Sequence, residues 1–167
     1  MKRRTATVAA AAIASGLGAV AILAFAFRLE PELLLKDGAG RILACIPLPD
    51  ARFDHVFIHS FHLTPVEERF IVESSGFLGA RLRLYELRYE SLGVGMPDDA
   101  ELGFRLENGK FILAMDRRFD RIPIMVSIVA GHGIVAGGTF HPFTEWVPPE
   151  GRIALEGRLV PVFRIGR

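Results

Sequence analysis

From Arg28 onward, apolar and polar residues alternate in short runs with the period of strands, and glycine or proline closes most of them. Val56 and Ile58 point one way while Phe57 and Phe61 point the other, the pattern of a strand covered on both faces. Val66, Glu68, Phe70 and Val72 share a face by the same counting, opposite Glu67, Arg69 and Glu73. Between Arg81 and Glu90 the apolar parity switches from Leu82 and Leu84 to Tyr85, Leu87 and Tyr89, which predicts a β-bulge near Leu84-Tyr85.

Asn108-Gly109 predicts a two-residue type I′ hairpin, since both residues tolerate positive φ. Its register sets Glu107 opposite Lys110, Leu106 opposite Phe111 and Phe104 opposite Leu113. Ile122 to Ala130 is apolar on both faces and reads as a central strand. Gly131-His132-Gly133 turns into a further strand from Ile134 to Phe140, Glu145 to Gly151 is a loop, and two last strands cover Arg152–Glu156 and Leu159–Ile165. Eight or more strands with no body helix predict an all-β fold, an antiparallel sandwich or flattened barrel.

The first 27 residues differ. Lys2, Arg3 and Arg4 precede an uncharged run from Thr5 to Phe27. At about 1.5 Å per residue such a run just crosses a bilayer core of roughly 30 Å. The basic cluster stays on the cytoplasmic side and sends the body outward. Two readings stand: an N-terminal membrane helix over 1–27, or a signal segment cut at Ala24-Phe25-Ala26. Residues 28–167 form one domain in either case, with no repeat or low-complexity tract to divide them.

Setting the leader aside changes the charge. It holds three of the 20 basic residues and none of the 19 acidic ones, so the body stands at 17 against 19, or −2. That argues against a nucleic-acid partner, which needs a basic footprint. Cys45 is the sole cysteine, which rules out an internal disulfide and a thiolate zinc cluster. Lying in Ile42-Leu43-Ala44-Cys45-Ile46, it reads as a small core residue.

Polar chemistry concentrates in His59-Ser60-Phe61-His62-Leu63-Thr64-Pro65-Val66-Glu67-Glu68, a proline-marked turn between two strand-like runs. Glu68 shares the face of Val66, Phe70 and Val72, and a carboxylate facing a core must be paired or hydrogen-bonded. It is either a pocket carboxylate, a structural one tied to an arginine or to turn amides near Thr64, or solvated through a register slip. Glu67 reads as a solvated charge. Histidines 55, 59, 62, 132 and 141 invite a metal, but His55 and His59 lie about 13 Å apart along a strand. A site using His132 or His141 needs strands distant in sequence to meet. His59 and Ser60 point to opposite faces, so this histidine does not serve as base for this serine. Ser60 and Thr64 read as backbone partners around Pro65.

Tyr89-Glu90-Ser91-Leu92-Gly93-Val94-Gly95-Met96-Pro97 ends the next strand in a glycine-rich turn. Gly93 and Gly95 lack the third glycine and helix of a dinucleotide site and suit a tight reversal. Arg117, Arg118 and Arg121 form the densest basic group, either a receiver for an anionic partner or a solvated loop.

The His59-Ser60-x-x-Leu63-Thr64-Pro65-Val66-Glu67-Glu68-x-Phe70 segment, paired with the Gly93-x-Gly95-x-Pro97 turn, resembles the bacterial and archaeal domain of unknown function family numbered 1850. The resemblance spans about Leu33 to Val162. Phe61-His62 depart from it, standing where a small apolar residue and a glutamate are expected. No activity is established for that family. The resemblance implies company with permeases of tripartite ATP-independent periplasmic (TRAP) transporters that use TAXI-type solute receptors.

The expectation is therefore a membrane-anchored, non-enzymatic β domain facing the periplasm from the inner membrane, or released into the periplasm after cleavage. It contacts a TRAP permease or its solute receptor and needs no cofactor. Its candidate contact or ligand surface comprises His59, Ser60, Thr64, Glu67, Glu68, Glu90, Gly93 and Gly95. An alternative is a small-ligand or metal-binding module using Glu68, His59 and an arginine. A hydrolase using Ser60 and Glu68 is a third.

Overall fold

The computed structural model describes residues 27–76, 79–91 and 103–163. Among these residues the chain forms eleven strands and one 3-10 turn. The strands are β1 (Phe27–Asp37), β2 (Ile42–Pro47), β3 (Arg52–Ile58), β4 (Pro65–Ser74), β5 (Ala80–Tyr89) and β6 (Phe104–Glu107). There follow β7 (Lys110–Phe119), β8 (Ile122–Met125), β9 (Gly133–Ala136), β10 (Thr139–Pro142), the turn Phe143–Glu145, and β11 (Arg152–Phe163). A four-stranded sheet runs β2-β1-β11-β8 and a seven-stranded sheet runs β10-β9-β3-β4-β5-β7-β6. The predicted antiparallel β fold is what the chain adopts. Among the described residues no helix is long and apolar enough to cross a membrane. The expected membrane or signal helix over residues 1–27 lies outside them except for Phe27, which opens β1.

By compactness the chain divides into Pro31–Leu159 and a smaller unit of residues 1–30 and 160–167. The described part of the smaller unit is the start of β1 and the end of β11.

The main core lies between the sheets. Leu33 and Leu35 of β1, with Ile153 and Leu155 of β11, pack against Phe53, Phe70, Val72, Leu82 and Leu84 of the larger sheet. Phe53 and Phe70 stack across β3 and β4 with ring centroids 5.1 Å apart. Each such ring, fully buried, contributes about 1.5–3 kcal/mol of burial free energy. A second apolar cluster, Val66, Leu87, Tyr89 and Leu113 with Phe57, Phe111 and Met115, comes entirely from the larger sheet.

Strand parity in β4 is as the pattern predicts, with Val66, Phe70 and Val72 buried. The bulge is present too. Arg69 pairs with Glu86 but Phe70 pairs with Leu84, so Tyr85 is the extra residue, and the β5–β7 register shifts at the same point. Asn108 and Gly109, with φ of 53° and 78°, close the β6–β7 hairpin in the predicted register. The charges in that hairpin find other partners: Lys110 bonds Glu67 at 2.6 Å, and Arg105 donates to Glu107 at 3.2 Å.

Several expectations are corrected. The run Ile122 to Ala130 is not a central strand: β8 stops at Met125 on the edge of the smaller sheet, and Ile128 and Val129 are exposed. Length of apolar sequence does not fix position in a sheet. Ile134 to Phe140 is not one strand but a hairpin, β9 and β10 joined at Gly137-Gly138, both with positive φ. The two final strands are a single β11, which continues through Gly157. A Cβ at that glycine would lie 3.1 Å from Val72 and 3.3 Å from Leu82, so its bareness lets two layers approach rather than breaking the strand. Phe61 belongs to the turn after β3 and is exposed. Cys45 is exposed on β2, the edge of the smaller sheet, instead of buried.

Candidate functional site

The β3–β4 corner is a tight turn held by its own backbone. His59 N–H donates to Thr64 O at 2.9 Å, and Leu63 N–H donates to His59 O at 2.8 Å. The His59 Nδ1 accepts the N–H groups of Phe61 and His62, both at 3.3 Å. Leu63 takes the left-handed conformation at φ 53°, and Pro65 opens β4. Ile58 N–H donates to Ala130 O at 2.7 Å, which fastens the β8–β9 connection to the same corner.

One turn of register further in, β3 and β4 set His55 directly opposite Glu68. The His55 Nδ1 lies 2.8 Å from Glu68 Oε2, and a carboxylate only accepts, so the imidazole donates. The pairing of β3 with β9 sets Val56 opposite Gly133, which brings the preceding His132 against His55. His55 Nε2 is 3.2 Å from His132 Nδ1, and the two rings are stacked at 5.4 Å. His55 is buried and also stacks on Phe143, while His132 stacks on Phe57. Burial, then the neighbouring His55, drives the His132 pKa down to about 4, against a smaller upward pull from Glu68. His132 is therefore a neutral ring at pH 7.

Beside this row lies a cavity of about 470 Å³, within the common range for small-molecule sites of about 300–1,000 Å³. Phe57, Val66, Leu84, Leu87 and Met115 supply its apolar lining. Its polar lining is His59, Ser60, Glu68, Arg117, Ser127 and His132. The cavity sits beside the second apolar cluster, to which the smaller sheet contributes no side chain.

Two charges face this space with capacity to spare. The side chain of Glu68 is 28% exposed, and among the described residues only its Oε2 is hydrogen-bonded. Arg117, opposite Leu84 on β7, shares the strand parity of Leu113 and Met115 and so reaches the inner face. Among the described residues its guanidinium has no ion pair. Its neighbours differ: Arg118 engages Asp116 at 3.1 Å and Glu73 at 3.4 Å, and Arg121 stands 3.7 Å from Glu156.

Of the predicted surface residues, His59, Ser60 and Glu68 meet at the cavity. Thr64 Oγ1 lies 3.4 Å from Ser91 Oγ, a contact between the two turns. Glu67 faces the other side of β4, where Lys110 neutralises it. Glu90 is exposed just beyond β5. Gly93 and Gly95 lie outside the described residues. Sequence reasoning missed His55 as the partner of Glu68 and His132 as the partner of His55. The first was within reach, since counting back from the Ile58–Pro65 pair leads to His55 opposite Glu68. The second depends on β9 joining β3 from 77 residues away, which no local pattern announces.

Among the described residues no serine, threonine or cysteine side chain bonds a histidine. Nor does any group of three or more His, Cys, Asp or Glu there have the placement to hold a metal ion. Both nitrogens of His55 and the Nδ1 of His59 already have partners.

No curated protein and no solved structure is matched by the chain. A family model does match, that of the Domain of unknown function (DUF1850), over residues 53–143. The matched stretch runs from Phe53 in β3 to the 3-10 turn at Phe143, and so takes in every residue that lines the cavity. The chain belongs to the DUF1850 family.

Proposed function

We propose that this chain is a non-enzymatic recognition domain that takes a small ligand in the cavity at its β3–β4 corner. The observation that carries the reading is the pair of charges with spare capacity, Glu68 and Arg117, set around an apolar lining in one space. Polar groups converging on an apolar concavity are the usual makeup of a binding site. The cellular setting we propose is the periplasmic face of the inner membrane, as an accessory to a TRAP-type permease or its TAXI-type receptor. Its support is the company that the resemblance in the His59–Phe70 and Gly93–Pro97 segments implies, and the uncharged run from Thr5 to Phe27 behind a basic cluster.

Thermal unfolding against a library of small acids, amines and amino acids tests the ligand reading, because a ligand of the folded state raises Tm by mass action. A rise of several degrees with one chemical class supports it. A Tm unmoved by every compound at millimolar concentration overturns it. Co-expression with a TRAP permease and its receptor tests the setting: co-purification of the full chain with either supports it, and a chain recovered free of both overturns it.

A further inference from the structure

Resting on the ligand reading above, we propose that the cavity selects a zwitterionic α-amino acid with an apolar side chain, its ammonium on Glu68 and its carboxylate on Arg117. The argument is one of charge balance. Around the cavity, Glu68 is an anion with an unbonded carboxylate oxygen and Arg117 a cation with no ion pair among the described residues. Burial keeps the neighbouring His132 neutral, and the Nδ1–H of His55 takes up Oε2 of Glu68 but leaves its Oε1 open.

Glu68 and Arg117 do not neutralise each other. They project from β4 and β7 with β5 between them; two strand spacings and a stagger of two residues counted along β4, or four along β7, separate their backbones by roughly 12–16 Å. Side chains reaching inward from each end leave room for a molecule carrying both signs a few ångströms apart. A plain carboxylate would satisfy Arg117 but leave Oε1 of Glu68, the carboxylate oxygen that His55 does not reach, without a partner; a plain amine would leave Arg117 without an anion. Between the two charges lie Leu84, Leu87 and Met115, a surface for an aliphatic or aromatic side chain and a poor one for a polar side chain.

The experiment is calorimetric titration of the full chain with leucine, methionine and phenylalanine, each compared with analogues lacking one charge. For leucine these are isocaproate, without the amine, and isoamylamine, without the carboxylate. At least one amino acid binds, and loss of either charged group weakens it by roughly tenfold or more, as expected for a charged hydrogen bond. Arg117→Met, at an exposed and unpaired position, abolishes the preference for leucine over isoamylamine and leaves Tm in the absence of ligand unchanged. Glu68→Gln keeps an acceptor for His55 and abolishes the preference for leucine over isocaproate. If isocaproate or isoamylamine binds as tightly as its parent, the amino-acid assignment fails while the cavity remains a ligand site. If none of the amino acids binds, the assignment fails, and the thermal library separately decides whether the ligand reading falls with it.

Discussion

His55 Nε2 stands 3.2 Å from His132 Nδ1, with the two imidazoles nearly parallel at 10°. Those rings tie the β3–β4 corner to β9, which lies 77 residues further along the chain from His55 to His132. Glu68 on β4 holds His55 on β3 from one side, and His55 in turn meets His132 at the start of β9. Two imidazolium rings at that separation would repel each other in a poorly hydrated setting, so the row tolerates one charge at most. The two ends of the row, Glu68 and His132, line the cavity, while His55 is buried behind them.

A pH dependence follows from His132. Its pKa in the folded chain, about 4, lies below the ordinary value of 6.5, so the unfolded chain binds the proton more readily between those values. The stability this ring contributes is complete above pH 6.5 and is lost as pH falls toward 4. With solvent screening at a half-buried ring, the loss amounts to about 1–2 kcal/mol. Urea denaturation at pH 7 and pH 4.5 should show the native chain losing about that much more than His132→Asn. Equal losses in the two proteins would remove His132 as the source.

Glu86 supports a second prediction, on the other face of the larger sheet. Burial alone would raise its pKa, but hydrogen bonds from Arg88, Arg69 and Arg105 outweigh burial and hold the carboxyl below the usual range. The side chain is only 12% exposed, and the three arginines approach at 2.6, 3.2 and 3.0 Å. Glu86→Ala removes the carboxylate they share, leaving Arg69 only Asp54 and Arg105 only Glu107, and should cost about 1–3 kcal/mol at pH 7. A lowered carboxyl contributes stability above its unfolded pKa of about 4.5 and loses it below. The gap between the native chain and Glu86→Gln should therefore narrow from pH 7 to pH 3; a gap that stays constant contradicts the account.

How far these features were legible depends on whether their causes are local. The Asn108-Gly109 hairpin and the bulge at Tyr85 could be read directly, since turn chemistry and parity are properties of a few adjacent residues. The Gly137-Gly138 turn carried an equally local signal, but the apolar run from Ile134 to Phe140 masked it. Edge positions were hidden for a different reason. Ile122, Ile124 and Met125 are as apolar as a central strand, yet β8 pairs only with β11. At the site, the position of Glu68 on the inner face was readable from period two, while His132 and Arg117 required the sheet order. Pairing of strands distant in sequence is set by the whole core, and short patterns do not carry it.

Gly157 shows what a misread break does instead. The β11 backbone passes so close to the larger sheet that a Cβ would sit 3.1 Å from Val72, 3.3 Å from Leu82 and 3.4 Å from Ala80. Val72 and Leu82 are buried core residues with little room to give. Gly157→Ala should cost about 1 kcal/mol, and Gly157→Val about 2–3 kcal/mol through overpacking. Equilibrium denaturation decides: a Gly157→Val chain as stable as the native one would mean that the layers separate freely there.

Gly133 is the tighter case, and it bears on the site because it follows His132. A Cβ at this position would run into the Phe140 ring, 2.6 Å from its Cζ, and would lie 2.7 Å from the carbonyl oxygen of His141. The ring can swing away, since Phe140 is about half exposed, but the oxygen belongs to the backbone of β10, paired with β9. Gly133→Ala must therefore push β9 and β10 apart, at a cost of about 2–3 kcal/mol. Phe140→Ala alone should cost under about 1 kcal/mol, and combined with Gly133→Ala it should recover less than half of the loss. Full recovery in the double variant would assign the constraint to the ring and leave the β9–β10 backbone free to adjust. Partial recovery fixes it on the His141 carbonyl, and with it the placement of His132 against His55.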